Sequence, residues 1–152
     1  MSEELHSAND VEATEVRVRE SFGKQGLMRL LGAELVEIGP GHVRIDLARR
    51  DEVSQQHGYI HAGATSAIAD TAGGYAALTM MPLTADVLTV EFKLNLLAPA
   101  AGDRLEAIGT VLKAGRTLTV CRLEVFSVTD SERILVAAGQ QTLISLTVRP
   151  VD

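Results

Sequence analysis

Apolar and polar residues change rhythm along the chain, and each rhythm implies an element. The clearest stretch is "DVLTVEFKLNLL", where Leu88, Val90, Phe92, Leu94 and Leu96 alternate with Thr89, Glu91, Lys93 and Asn95. A period of two predicts a half-buried strand with the apolar set on one face. Two more strands are predicted at about 104–113 and 117–129, joined at Ala114-Gly115-Arg116. In the second of these, Leu118 and Val120 keep one phase and Leu123 and Val125 the other, which predicts a bulge near Cys121-Arg122. A last strand is predicted over about 134–148. Upstream, Val43, Ile45 and Leu47 alternate with His42, Arg44 and Asp46, and a shorter extended run precedes the turn Gly39-Pro40-Gly41. Residues 11–31 read as a weak helix with Phe22, Leu27, Leu30 and Leu31 on one side, stopped at Gly32 and weakened by Gly23 and Gly26. Residues 49–59 are polar and irregular and read as a loop.

The stretch "HAGATSAIADTAGGYAALTMM", His61 to Met81, obeys neither amphipathic pattern. It is small and apolar on nearly every face, so it predicts a helix that must be covered on most sides. Sequential strands with short connections favour antiparallel pairing. An α+β architecture meets both demands: a curved antiparallel sheet wrapped around a long central helix, with an N-terminal helix beside it.

Composition narrows the class. A chain of 152 residues fits one domain, here 11–152, behind a polar segment 1–10 expected to lack structure. Hydrophobic residues make up 46% and aromatics 3%, with no Trp, so Leu, Val, Ile and Ala must build the core. A net charge of −6 argues against a broad nucleic-acid surface; an anionic ligand would need a local basic patch. The lone Cys121 rules out an internal disulfide. The acidic start lacks the basic and apolar runs of a secretory signal, and no segment offers the ~20 apolar residues of a membrane span. A soluble, cytoplasmic protein is expected.

The chemistry centres on Asp70, in the middle of the apolar helix. Its neighbours one turn away are Ser66, Ala67, Gly73 and Gly74, poor company for a solvent-facing carboxylate and small enough to leave room beside it. A carboxylate in a tight site serves as general base or nucleophile and needs donors for the developing oxyanion. The open N–H groups near Ala62 and Gly63, at the start of the same helix, are such donors. Gly63 and Asp70 are, however, about 10 Å apart along the helix axis. The gap closes if two copies pair about a two-fold axis, one copy's helix start lying near the other's Asp70. His57 and His61 are spaced like two metal ligands, but Gly58 stands where H-E-x-x-H needs Glu and no third ligand is apparent. No metal and no cofactor are expected. The nucleophile elbow G-x-S-x-G is absent, and Ser66 either packs or touches substrate.

Three stretches together, "QQHGYIHAGATSAIADTAGGYAA", "TVEFKLNLLAPAAGD" and "KAGRTL", resemble the phenylacetic-acid-degradation-type (PaaI-like) hotdog thioesterases. The spacing Gly58, His61, Gly63, Asp70 and the distance from Asp70 to Pro99 carry the resemblance, which runs from about Leu30 to Leu146. The resemblance implies a hotdog fold and hydrolysis of acyl-CoA thioesters in a dimer or tetramer, with active sites shared across the dimer interface. It makes Asp70 the base or nucleophile, puts the Ala62 N–H in the oxyanion hole and lets Thr89 position the water. His61 holds the helix start or meets substrate. Gln55 stands where the family often has Asn. The basic turn with Lys113, Gly115, Arg116 and Thr117 resembles the one that meets the CoA nucleotide. Two other classes are open: a non-catalytic acyl-CoA sensor and a hotdog acyl-thioester dehydratase.

Overall fold

The computed structural model describes residues 8–147. The chain runs through α1 (Ala8–Gly23), α2 (Gly26–Leu31), β1 (Glu34–Gly39), β2 (His42–Ala48), a single 3₁₀ turn (Asp51–Val53), α3 (Ala62–Leu78), β3 (Ala85–Leu96), β4 (Arg104–Ala114), β5 (Leu118–Val128) and β6 (Arg133–Thr147). The strands form one antiparallel sheet in the order β1-β2-β4-β5-β6-β3, and α3 packs against its concave face. This is the hotdog fold. Among the described residues no helix is long and apolar enough to cross a membrane.

The N-terminal helix breaks where the two glycines weaken it. α1 ends at Gly23, α2 starts at Gly26, and α2 stops at Gly32 in the left-handed conformation. α1 already begins at Ala8, so the expectation of a structureless 1–10 does not hold for Ala8 to Asp10; residues 1–7 and Val148 lie outside the described residues. Arg17 on α1 ties the layers together. Its guanidinium donates to the carbonyls of Leu78 (2.7 Å), Pro82 (2.7 Å), Met81 (3.2 Å) and Ala85 (3.2 Å). It thereby places positive charge at the C-terminal end of α3 and fixes the point from which β3 departs.

α3 is buried along most of its length, from Ala64 to Leu78. Small residues let the sheet close on it: Gly109 on β4 lies so near that a Cβ there would sit 2.5 Å from the backbone of Ala72 and Gly73. The core is Leu, Val, Ile and Ala, with Ile45, Leu47, Ile68, Leu105, Leu123 and Leu143 fully buried.

Two strand readings need correction. β3 is not one uninterrupted alternation. Thr89 pairs with Leu143 and Glu91 with Thr142, so Val90 is an extra, bulged residue. The bulge reverses the phase: Val87 and Thr89 share the helix-facing side with Phe92 and Leu94, while Leu88 lies on the other face. β3 is also an edge strand, and Leu88, Val90 and Leu96 are each 57% exposed, so it is not half-buried within one chain. In β5, by contrast, no bulge falls at Cys121-Arg122. Thr119, Cys121, Leu123 and Val125 form one continuous buried face, and the irregularity lies on β4, where Leu112 is extra between Val111 and Lys113. Leu118 and Val120 simply face outward or sit half-buried.

Candidate active site

The bulge in β3 aims a hydroxyl at the helix. Thr89 Oγ1 donates to Asp70 Oδ1 at 2.7 Å. On the same oxygen converges Gln141 from β6, whose Nε2 donates at 2.5 Å and also lies 2.9 Å from Thr89 Oγ1 and 3.1 Å from the Asp70 carbonyl. Asp70 is half-buried, and its Oδ2 forms no hydrogen bond among the described residues. The carboxylate therefore has one oxygen held by two neutral donors and one oxygen open. It lines a cleft of about 410 Å³ with Thr89, Leu88 and Gly74, whose polar end is Tyr75 with Ser21 and Gln25 on its hydroxyl.

A second cleft, of about 570 Å³, opens at the start of α3. His61 is the N-cap: its Nδ1 accepts from the Gly63 N–H at 2.7 Å, which places the ring proton on Nε2. Gly63 therefore has no spare donor. The Ala62 N–H forms no hydrogen bond among the described residues, and Ala62 lines the cleft with His61 and Gln55. Gln55 Oε1 accepts from the His57 N–H and so shapes its own loop, leaving the amide Nε2 without a partner among the described residues. Ser66 turns its hydroxyl to the Ala62 carbonyl at 2.8 Å, which is packing within the helix. Gly58, at φ 80°, keeps His57 and His61 off a common helical face, and among the described residues no cluster of three His, Cys, Asp or Glu side chains could hold a metal ion.

The two clefts share no lining residue. Asp70 follows Ala62 by eight positions, about 12 Å along the axis. The structure thus brings Asp70, Thr89 and Gln141 together and brings Gln55, His61 and Ala62 together, but it does not join the groups within one chain. The basic turn is a third piece. Lys113, Gly115, Arg116 and Thr117 are all exposed, and neither cation forms an ion pair among the described residues. Gly115 has a local reason of its own: a Cβ there would meet the Leu118 carbonyl at 2.5 Å, the same carbonyl that accepts from the Gly115 N–H. The remaining nucleophile type is silent, since burial pushes the Cys121 thiol up to about 12.

Sequence reasoning missed Gln141. A signal was present: Gln141 is two positions from Leu143 and four from Ala137, so a strand that buries those two must bury the amide as well.

Residues 57–134, about half of the chain, match the family profile of the thioesterase superfamily. A crystal structure of a thioesterase family protein from Silicibacter pomeroyi superposes with a TM-score of 0.86 at 41% identity, covering 89% of this chain and 99% of that one. The PaaI protein of the E. coli phenylacetic acid degradation operon shares the fold at 19% identity, with a TM-score of 0.79 over 90% of this chain and 95% of that one. A thioesterase from Haemophilus influenzae does so at 20% identity, with a TM-score of 0.75 over 84% of this chain and 87% of that one.

Proposed function

We propose that this chain, which belongs to the thioesterase superfamily and is a thioester hydrolase, acts on acyl-CoA thioesters, with Asp70 directing the attacking water. The observation that carries the reading is the asymmetry of the Asp70 carboxylate. Thr89 and Gln141 occupy Oδ1, and Oδ2 is open in a cleft. Oδ2 takes a proton from water as the water oxygen bonds to the thioester carbonyl carbon. The carbonyl electron pair moves to oxygen and is met by the Ala62 N–H at a helix start. The tetrahedral species then collapses, the C–S bond breaks, and the leaving thiolate takes up the proton held by Asp70. Free CoA and a carboxylic acid result.

Ala62 and Asp70 of one chain are too far apart for one carbonyl, so the reading includes a homodimer with two shared sites. The exposed apolar edge of β3 supports it: Leu88, Val90 and Leu96 are each 57% exposed on a strand with one unpaired edge. Pairing of that strand with its copy covers the face, and the second copy's helix start supplies the oxyanion donor. Lys113 and Arg116 take the CoA phosphates.

A panel of acyl-CoA thioesters assayed by thiol release tests the reading. The wild type is expected to hydrolyse at least one, and Asp70→Asn and Asp70→Ala to lose hydrolysis with the fold intact. Inactivity on the whole panel together with tight acyl-CoA binding would mark a sensor instead. Light scattering that finds an active monomer would sink the shared site.

A further inference from the structure

The concave face of the sheet carries an amide at full depth. Ala137, Gln141 and Leu143 of β6 all point at α3 and are all 0% exposed. Buried amides are ordinarily satisfied at both ends. This one is satisfied at one end only. Nε2 faces the Asp70 carboxylate, the Asp70 carbonyl and the Thr89 hydroxyl, while Oε1 is buried with no hydrogen-bond partner among the described residues. Turning the amide over would set Oε1 against two oxygens of Asp70, so the acceptors dictate the orientation. The helix makes room for the orphan oxygen at Gly73, where a Cβ would overlap both Gln141 Oε1 and Leu123 Cδ2.

A core position that hides an unpaired acceptor is a burden on the fold. Its return lies in what the other end does. Nε2 donates to Asp70 Oδ1, to Thr89 Oγ1 and to the Asp70 carbonyl. Because Thr89 Oγ1 then accepts from Gln141, its own proton goes to Asp70 Oδ1. The three side chains close a ring in which both donor groups converge on Asp70 Oδ1, and Gln141 also holds the Thr89 hydroxyl and the Asp70 carbonyl.

We propose that Gln141 is a positioning residue for thioester hydrolysis. It orders Thr89 and with it pins Asp70 Oδ1, leaving Oδ2 as the oxygen that meets water. The proposal rests on the reading that Asp70 directs that water.

Gln141→Met tests it, because Met matches the unbranched shape while removing both the donor and the orphan acceptor. The expected result is a Tm equal to or above the wild type, kcat lowered ~10–100-fold, and KM within about twofold. A lower Tm with wild-type kcat per folded molecule would mean that Gln141 only fills the core, and the proposal would fall. Gln141→Glu keeps the shape if Met fails to fold. As a carboxylate the substituted group cannot donate to Asp70, and as an acid it can. Its kcat relative to wild type should therefore be low at pH 8 and rise as pH is lowered. A ratio that stays flat with pH overturns the proposal. Asp70→Asn separates the two claims. If that variant keeps wild-type kcat, the reading of the site fails. If it is inactive while Gln141→Met is fully active, only the role of Gln141 fails.

Discussion

Two carboxylates sit against the sheet, and they are held in opposite ways. Glu106 on β4 is 5% exposed and surrounded by guanidinium groups: Arg104 at 2.8 Å and Arg44 at 3.2 Å on Oε1, Arg133 at 3.0 Å on Oε2. Burial works against its ionisation, but the bonds from Arg133 and Arg104 and the charge of Arg44 outweigh it, and the carboxyl is held below its ordinary 4.5. Among the described residues Asp70 has no cation in hydrogen-bond reach; its donors are an amide and a hydroxyl, both on one oxygen. Cations on both oxygens turn a carboxylate into a structural anion whose charge is already matched. Neutral donors on one side fix the geometry and leave a basic oxygen free.

The comparison breaks most sharply at Asp70. Asp70→Asn keeps the shape and the Oδ1 acceptor, so Tm should hold while kcat falls by ~10³-fold or more. Thermal melts and thiol-release assays on the same preparation read both numbers. A variant that keeps its kcat would erase the distinction between the two carboxylates. Thr89→Val is the next largest effect. It removes one of the two donors on Oδ1 from a side chain that is itself exposed, so kcat should drop about tenfold with little change in Tm.

Glu106→Gln is expected to do the reverse. The partner arginines are exposed enough to reach water, which limits the loss to about 1–2 kcal/mol of stability, and kcat per folded molecule should not move. The pH dependence has a definite sign. A carboxyl whose folded value lies below its unfolded one stabilises the fold above the unfolded value and loses that contribution as pH falls through the folded one. The stability gap between wild type and Glu106→Gln should thus be full at pH 7 and narrow as pH falls below about 4.5. A gap that widens in acid would show that Glu106 is not held as a structural anion.

The same contrast explains which parts were legible in the sequence. The central helix follows from a long run that is small and apolar on nearly every face, and the antiparallel order from strand alternation and short connections, all of them local properties. Asp70 stood out because its own helix made it anomalous. Thr89 takes its role from the resemblance alone, since the alternation puts it on the face opposite Phe92. Only the unpaired Val90 brings it round, and a bulge is decided by the partner strand. The bulge expected near Cys121-Arg122 is absent for another reason: Leu118 and Val120 are apolar yet lie off the buried face, so their apolarity does not mark the inward phase. Gln141 and Glu106 are 35 residues apart and both polar at buried sites, and neither announces itself, because polar residues on strands read as outward-facing until the sheet is assembled.

The cations divide as the carboxylates do, and this gives the smallest effect and the finest test. Arg44, Arg104 and Arg133 are spent on Asp46 and Glu106. Arg116, at the exposed β4–β5 turn, has no carboxylate partner among the described residues. An unspent guanidinium on a rigid hairpin suits a phosphate that arrives with the substrate. Its contribution is solvent-screened, so Arg116→Ala should raise KM for an acyl-CoA only ~3–10-fold, with kcat unchanged. The same acyl group on N-acetylcysteamine carries no phosphate, and its KM should not respond. The wild-type KM for the CoA thioester should also climb with salt, and that slope should flatten in the variant. Equal shifts for the CoA and N-acetylcysteamine thioesters would show that Arg116 acts on the acyl end or on the fold, and the nucleotide assignment of this turn would have to be given up.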